Sequence, residues 1–203
     1  MCGRFLLDSD IEDILRSYNY VTNLNKDLVI PKGEIFPGSL VPIITQDKEL
    51  KLCKWGFSHR NSKNLIINGR AETIFEKPTF KKSMLDKRCI IPANCFYEWK
   101  GEKGKKEKFT ITLKEKKLFS MAAIYNSFTN ELGEDFEAFI IITTEANEDM
   151  SLIHNRMPVI FHRNAELTWL DKETHNLSQL MHPYFNGALN ITSAAAAIQT
   201  SLF

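Results

Sequence analysis

No stretch of this 203-residue chain approaches the ~18 consecutive apolar residues of a membrane span, and no two of its four cysteines have CxxC spacing. A helical membrane protein and a zinc ribbon are therefore excluded. Cys2, Cys53, Cys89 and Cys95 also make no disulfide framework, because a reducing compartment keeps them as thiols. Net charge is slight too. A net charge of +1 argues against a strongly basic nucleic-acid coat, although a few arginines can still build a local positive groove. Internal repeats are absent, and no interior linker is long enough to divide the chain. The acidic Asp8-Ser9-Asp10 comes too early for a signal peptide, so a soluble, cytoplasmic protein is expected and the sequon Asn190-Ile191-Thr192 carries no meaning. With 43 % apolar and 25 % charged residues the composition is ordinarily globular, and one domain is expected over residues 1–203.

What is present reads as a mixed, β-rich domain. Ser9 followed by Glu12 forms a capping-box pattern, and Ile11, Ile14, Leu15 and Tyr18 recur at helical spacing, which predicts a short amphipathic helix from near residue 10. Val41 to Ile44, Leu50 to Trp55 and Leu65 to Ile67 read as strands between turn-forming segments. Pro78 is placed to open a helix through Met84-Leu85. Cys89 to Ile91 and Phe96 to Trp99 read as extended, and the charged run Lys100 to Lys106 as the turn of a hairpin returning along Phe109 to Leu113. Phe119 to Ile124 and Phe139 to Thr144 are apolar enough for buried strands, with short helices at Trp169-Leu170 and Leu177 to Met181. Ala194 to Ala197 has no assignment.

Met1-Cys2-Gly3-Arg4-Phe5 is the most informative segment. Loss of the initiator methionine leaves Cys2 with both a free α-amine and a thiol, a 1,2-aminothiol. An α-amine with an ordinary pKa of about 7.7 to 8.0 is partly neutral at physiological pH and attacks aldehydes; the thiol, ordinarily near about 8.5, then closes the imine into a thiazolidine. On position alone, Cys2 also reads as no more than a small residue permitting methionine removal. Asn68-Gly69-Arg70-Ala71-Glu72-Thr73 gathers an amide, a guanidinium and a carboxylate at one strand end. Glu98 lies within the aromatic Phe96-Tyr97-Glu98-Trp99. Burial there raises a carboxyl toward the range useful for acid-base work, while a salt bridge or strand-edge exposure is the other reading. His154, in His154-Asn155-Arg156-Met157-Pro158, is either a satisfied structural histidine or a proton carrier. Phe36-Pro37-Gly38 and Trp55-Gly56-Phe57 are core, or else stacking surfaces for bases.

Taken in order, these motifs resemble the SRAP family, the SOS-response-associated peptidase domain, from Cys2 to about Trp169-Leu170. The resemblance implies an α+β class, a compact β-rich fold with strongly bent sheets or a barrel and short peripheral helices. It implies covalent cross-linking to abasic sites in single-stranded DNA, which shields the lesion, with nucleoid association when bound. Cys2 is then the nucleophile, Asn68 and His154 orient and handle protons, Glu98 does acid-base work, and Arg4, Pro37, Trp55, Arg70 and Arg156 contact DNA. No metal or organic cofactor is called for. The family name records a peptidase activity, visible as removal of the protein's own Met1, and a lyase-type activity suits the same chemistry. Three positions depart from the family pattern: Gly69 stands where Ala is common, Cys95 where Gly is common, and Phe57-Ser58-His59-Arg60 replaces a loop with a second Trp, where His59 or Arg60 is the substitute contact. Two rivals remain. A thiol hydrolase would pair Cys2 with His154, and a non-covalent single-strand binding module would need no Cys2 at all.

Overall fold

The computed structural model describes residues 2–24, 28–59, 62–102 and 104–193. Its centre is a ring of five strands. The long hairpin Phe119–Thr129 and Asp135–Glu145 pairs antiparallel, and Phe119–Thr129 pairs on its other side with Arg88–Ala93. Arg88–Ala93 meets Leu40–Thr45, which turns back into Glu49–Trp55. Glu49–Trp55 then runs parallel to Asp135–Glu145, Trp55 opposite Phe139, and the ring closes as a barrel. Val41, Ile43, Ile90, Ala122, Ile124, Ile140 and Ile142 are all fully buried, as their apolar, β-branched runs predict. Gly56 makes the turn at the seam with φ +115°; a Cβ there would lie 2.8 Å from the Leu65 Cβ, so only glycine fits.

A second, five-stranded sheet is antiparallel throughout, in the order Leu189–Ser193, Glu107–Leu113, Cys95–Lys100, Phe5–Leu7, Gly33–Ile35. Asn94 is the single residue between the barrel strand Arg88–Ala93 and Cys95–Lys100 of this sheet. Its side chain holds the corner, accepting from the Asp8 amide at 2.7 Å and donating to the Lys117 carbonyl at 2.7 Å. The expected β-rich α+β architecture with a barrel is thus observed, and the hairpin across residues 101–106 closes as predicted. The first helix, Ile11–Ser17, buries Ile14 as expected, but its N-cap is Asp10, not Ser9. Asp10 accepts from the Asp13 amide at 2.9 Å, whereas the Ser9 hydroxyl is engaged with Asn94. Ala194 to Ala197 lie outside the described residues. Among the described residues no helix is long and apolar enough to cross a membrane.

Two peripheral helices are tied to the barrel by one buried cation. Arg88, 1 % exposed, gives its guanidinium to backbone carbonyls alone: Nε to Trp169 O at 2.7 Å, Nη1 to Met84 O at 2.8 Å and Leu85 O at 3.0 Å, Nη2 to Asp171 O at 2.6 Å. These carbonyls belong to the C-terminal ends of Pro78–Asp86 and Arg163–Leu170, where helices leave acceptors unfilled and where the dipole favours positive charge. Arg88→Met keeps the bulk and removes the donors. It should lower stability by about 2 kcal/mol or more in chemical denaturation, because buried acceptors are left unpaired; a loss below about 0.5 kcal/mol would show that water replaces the guanidinium.

Candidate active site

The start of the chain is built into the second sheet. Phe5 pairs with Phe96, and the Tyr97 N–H donates to the Arg4 carbonyl at 2.9 Å, so Arg4 is held alongside Cys95–Lys100 just before the strand Phe5–Leu7 begins. Cys2 is fully buried, with its thiol 3.9 Å from the Arg4 carbonyl oxygen. The Asn68 side-chain amide donates to the Cys2 carbonyl at 3.0 Å, and its Oδ1 is buried with no hydrogen bond among the described residues. Asn68–Arg70 lies parallel to Asp135–Glu145, Asn68 opposite Ile141, so the barrel itself sets the position of that amide. Gly69 takes part in the fit: a Cβ there would stand 2.9 Å from Ile74 Cδ1 and 3.2 Å from Ile140 Cδ1. Glu98 is 3 % exposed on the strand beside Cys2. Burial pushes the Cys2 thiol well above its ordinary range, and the nearby charge of Glu98 adds to the effect.

Next to this group is an open cleft of about 610 Å³ lined by Arg70, Glu145, His154 and Arg156. His154 Nδ1 accepts the Arg156 backbone N–H at 2.9 Å, so the neutral ring carries its proton on Nε2. The His154 backbone N–H donates to the Met150 carbonyl at 2.9 Å, at the end of the short helix Glu148–Ser151. Arg156 is only 9 % exposed. Its Nη1 and Nη2 grip Glu72 at 2.7 and 2.9 Å, and Nη2 also donates to the Thr143 carbonyl at 2.7 Å. The Arg156 guanidinium holds the Glu72 carboxyl below the usual carboxylate range, outweighing the effect of burial. Arg70 by contrast is exposed.

The SOS response associated peptidase (SRAP) family matches this chain over residues 1–201. The chain belongs to the SRAP family. It is 38 % identical over 202 residues to the abasic site processing protein YoqW of Bacillus subtilis, covering 91 % of this chain and 88 % of that protein. It is 31 % identical over 182 residues to YedK of Escherichia coli, also named an abasic site processing protein, covering 85 % and 81 %. A crystal structure of a protein from Bacteroides thetaiotaomicron superposes with a TM-score of 0.83 at 26 % identity, over 95 % of this chain and 91 % of that one.

Within this SRAP chain the structure brings Cys2, Asn68 and Glu98 together and sets His154 and Arg70 in the adjoining cleft. Two expected DNA contacts need correction. Trp55 is 0 % exposed, stacked on Phe139 with centroids 6.2 Å apart, and donates Nε1–H to the Ile67 carbonyl at 3.1 Å; it presents no face to a base and is a barrel core residue. Arg156 turns inward onto Glu72 and Thr143 and acts as a strut for the His154 segment, not as an open phosphate contact. Pro37 is exposed beside Phe36, and Arg4 reaches the surface in an ion pair with Glu34 at 2.8 Å. Met1, the His59 side chain and Arg60 lie outside the described residues. Sequence reasoning missed the roles of Glu72 and Glu34. Glu72 was legible only as part of the dense polar run at residues 68–73, and Glu34 has no local signature. All four cysteines are buried, and burial raises each of their thiols. A disulfide-exchange reagent at about pH 8 should therefore titrate the native protein far more slowly than the urea-unfolded chain, whose thiols return to about 8.5; rapid reaction of one thiol in the native protein would contradict the buried, protonated Cys2.

Proposed function

We propose that this chain captures abasic sites in single-stranded DNA covalently, through a thiazolidine formed on Cys2 once Met1 is gone, and so shields the lesion. The observation that carries this reading is the setting of Cys2: its carbonyl held by Asn68, its thiol buried and protonated, and Glu98 beside it. The names of the relatives, abasic site processing proteins, support the same substrate.

The abasic deoxyribose opens from its hemiacetal to the aldehyde with proton transfer from Glu98 or His154. The Cys2 amine adds to the aldehyde carbon, and the carbinolamine loses water to give an imine. The Cys2 thiol then adds across the C=N bond, sulfur to carbon and proton to nitrogen, and the ring closes. Asn68 Oδ1, buried and unoccupied among the described residues, is an acceptor for the amine or for the sugar hydroxyl. Arg70 and His154 in the cleft supply the phosphate contacts, and Arg4 and Pro37 border the path of the strand. Removal of Met1, hydrolysis of the Met1–Cys2 amide, is assigned to the same site as self-processing, and reopening of the ring as the lyase-type step. DNA-bound protein travels with the nucleoid. A thiol hydrolase would need a thiolate at rest, and the raised Cys2 thiol weighs against it.

The test mixes purified protein, its processing checked by intact mass, with a single-stranded oligonucleotide bearing one abasic site. Wild type should give an adduct that survives denaturation, Cys2→Ala none, and Glu98→Gln should form it about 10²- to 10⁴-fold more slowly in single-turnover time courses. Equal heat-stable adduct from Cys2→Ala would end the thiazolidine reading. A wild-type rate for Glu98→Gln would move the acid-base role to His154.

A further inference from the structure

The strand that carries Glu98 inward shows a different chemistry on its outward face. Phe96 and Glu98 are buried, while the alternate residues Tyr97 and Trp99 are half-buried on the solvated side of the sheet. Two cations lie against these rings. The Arg4 guanidinium sits 3.8 Å over the Phe36 ring and 5.5 Å from the Trp99 ring. Lys108, paired with Trp99 in the sheet, places its Nζ 3.8 Å over Tyr97 and 5.8 Å from Trp99. Glu34 bridges the two cations, accepting from Arg4 Nη1 at 2.8 Å and from Lys108 Nζ at 2.8 and 2.9 Å. A carboxylate held between two cations, themselves set among aromatic faces, occupies the place that a backbone phosphate takes when bases stack on neighbouring rings.

We propose that this face is a single-strand track leading away from Cys2, in which Tyr97 and Lys108 form an additional nucleotide subsite and Glu34 acts as an internal competitor that tunes its affinity. The proposal rests on the DNA-capture reading and names a site for the strand beyond the lesion. The occupant is a single-stranded nucleic acid because flat rings alternate with cations. A double helix hides its base faces, and an acidic peptide has no use for the rings. The Arg4, Lys108 and Glu34 side chains are each 28 to 29 % exposed, so the bridge is wet enough to exchange carboxylate for phosphate at little cost. Binding releases Glu34 and turns an internally satisfied pair of cations into two phosphate contacts.

The experiment measures affinity for a labelled oligothymidylate without any abasic site, across salt concentration, for wild type, Glu34→Gln, Lys108→Ala and Tyr97→Ala. Glu34→Gln should bind more tightly with the log-log salt slope unchanged, because both proteins hold the same two phosphates and only the competing carboxylate is lost; each phosphate held accounts for a slope of about 0.7. Lys108→Ala should weaken binding and flatten the slope by about the same 0.7. Tyr97→Ala should weaken binding by roughly 5-fold or more with the slope unchanged, since stacking releases no counterion. An unchanged or weaker affinity for folded Glu34→Gln overturns the competitor role. If Glu34→Gln does not fold, the other two variants decide, and wild-type affinity in both overturns the subsite. Adduct formation on an abasic oligonucleotide is scored separately, so failure of the capture chemistry appears as missing wild-type adduct, whatever the affinities for undamaged DNA.

Discussion

The parallel seam between Glu49–Trp55 and Asp135–Glu145 is the constraint on which the site depends. Once Trp55 stacks on Phe139 and the Gly56 N–H donates to the Phe139 carbonyl at 2.8 Å, the barrel is closed and Asp135–Glu145 is fixed in rotation and register. That strand then serves as a ruler. Asn68–Arg70 lies along one side of it, opposite residues 141–143, and Arg156–Pro158 along the other, opposite residues 143–145. Thr143 is where the two meet, its carbonyl accepting both the Ala71 N–H at 2.9 Å and Arg156 Nη2 at 2.7 Å. The amide that grips Cys2 and the segment that carries His154 therefore take their positions from a single element. A small error at the seam would be passed to both.

Much of this was legible in the chain because the barrel strands are local and apolar. Leu40–Thr45, Glu49–Trp55, Arg88–Ala93 and the two long strands of the central hairpin announce themselves through β-branched and aromatic runs, and Pro78 marks the first helical position of Pro78–Asp86. Among the strands that escaped are Phe5–Leu7, Gly33–Ile35 and Leu189–Ser193 of the second sheet, each three to five residues long. Such segments have no period of their own to read; they are strands only because Cys95–Lys100 offers an edge to Phe5–Leu7, which in turn pairs with Gly33–Ile35, and Glu107–Leu113 offers one to Leu189–Ser193. Candidate site residues followed a similar rule. Cys2, Asn68 and Glu98 converge because their types and motifs have chemical meaning. Trp55 misled because an aromatic beside glycine looks the same in sequence whether the ring faces solvent or a barrel interior.

Charge tells a related story. A chain whose 26 lysines and arginines are balanced by 25 acids offers a polyanion little net attraction, and two of its arginines are committed inward, Arg88 to helix ends and Arg156 to Glu72 and Thr143. The remaining positive surface must be assembled locally. Arg70 lines the cleft, and on the outer sheet Glu34 bridges Arg4 and Lys108. Electrostatic attraction in such a protein is short in range and shaped by geometry more than by total charge.

The guanidinium of Arg88 has a further effect, on how the molecule opens. Pro78–Asp86 and Arg163–Leu170 are far apart in sequence, and each is too short to persist alone. Because one buried side chain completes the final turns of both, neither can fray without stripping acceptors from the other's clamp. The ends of the two helices are thereby coupled to each other and to the barrel strand that begins at Arg88, which favours their opening as one unit.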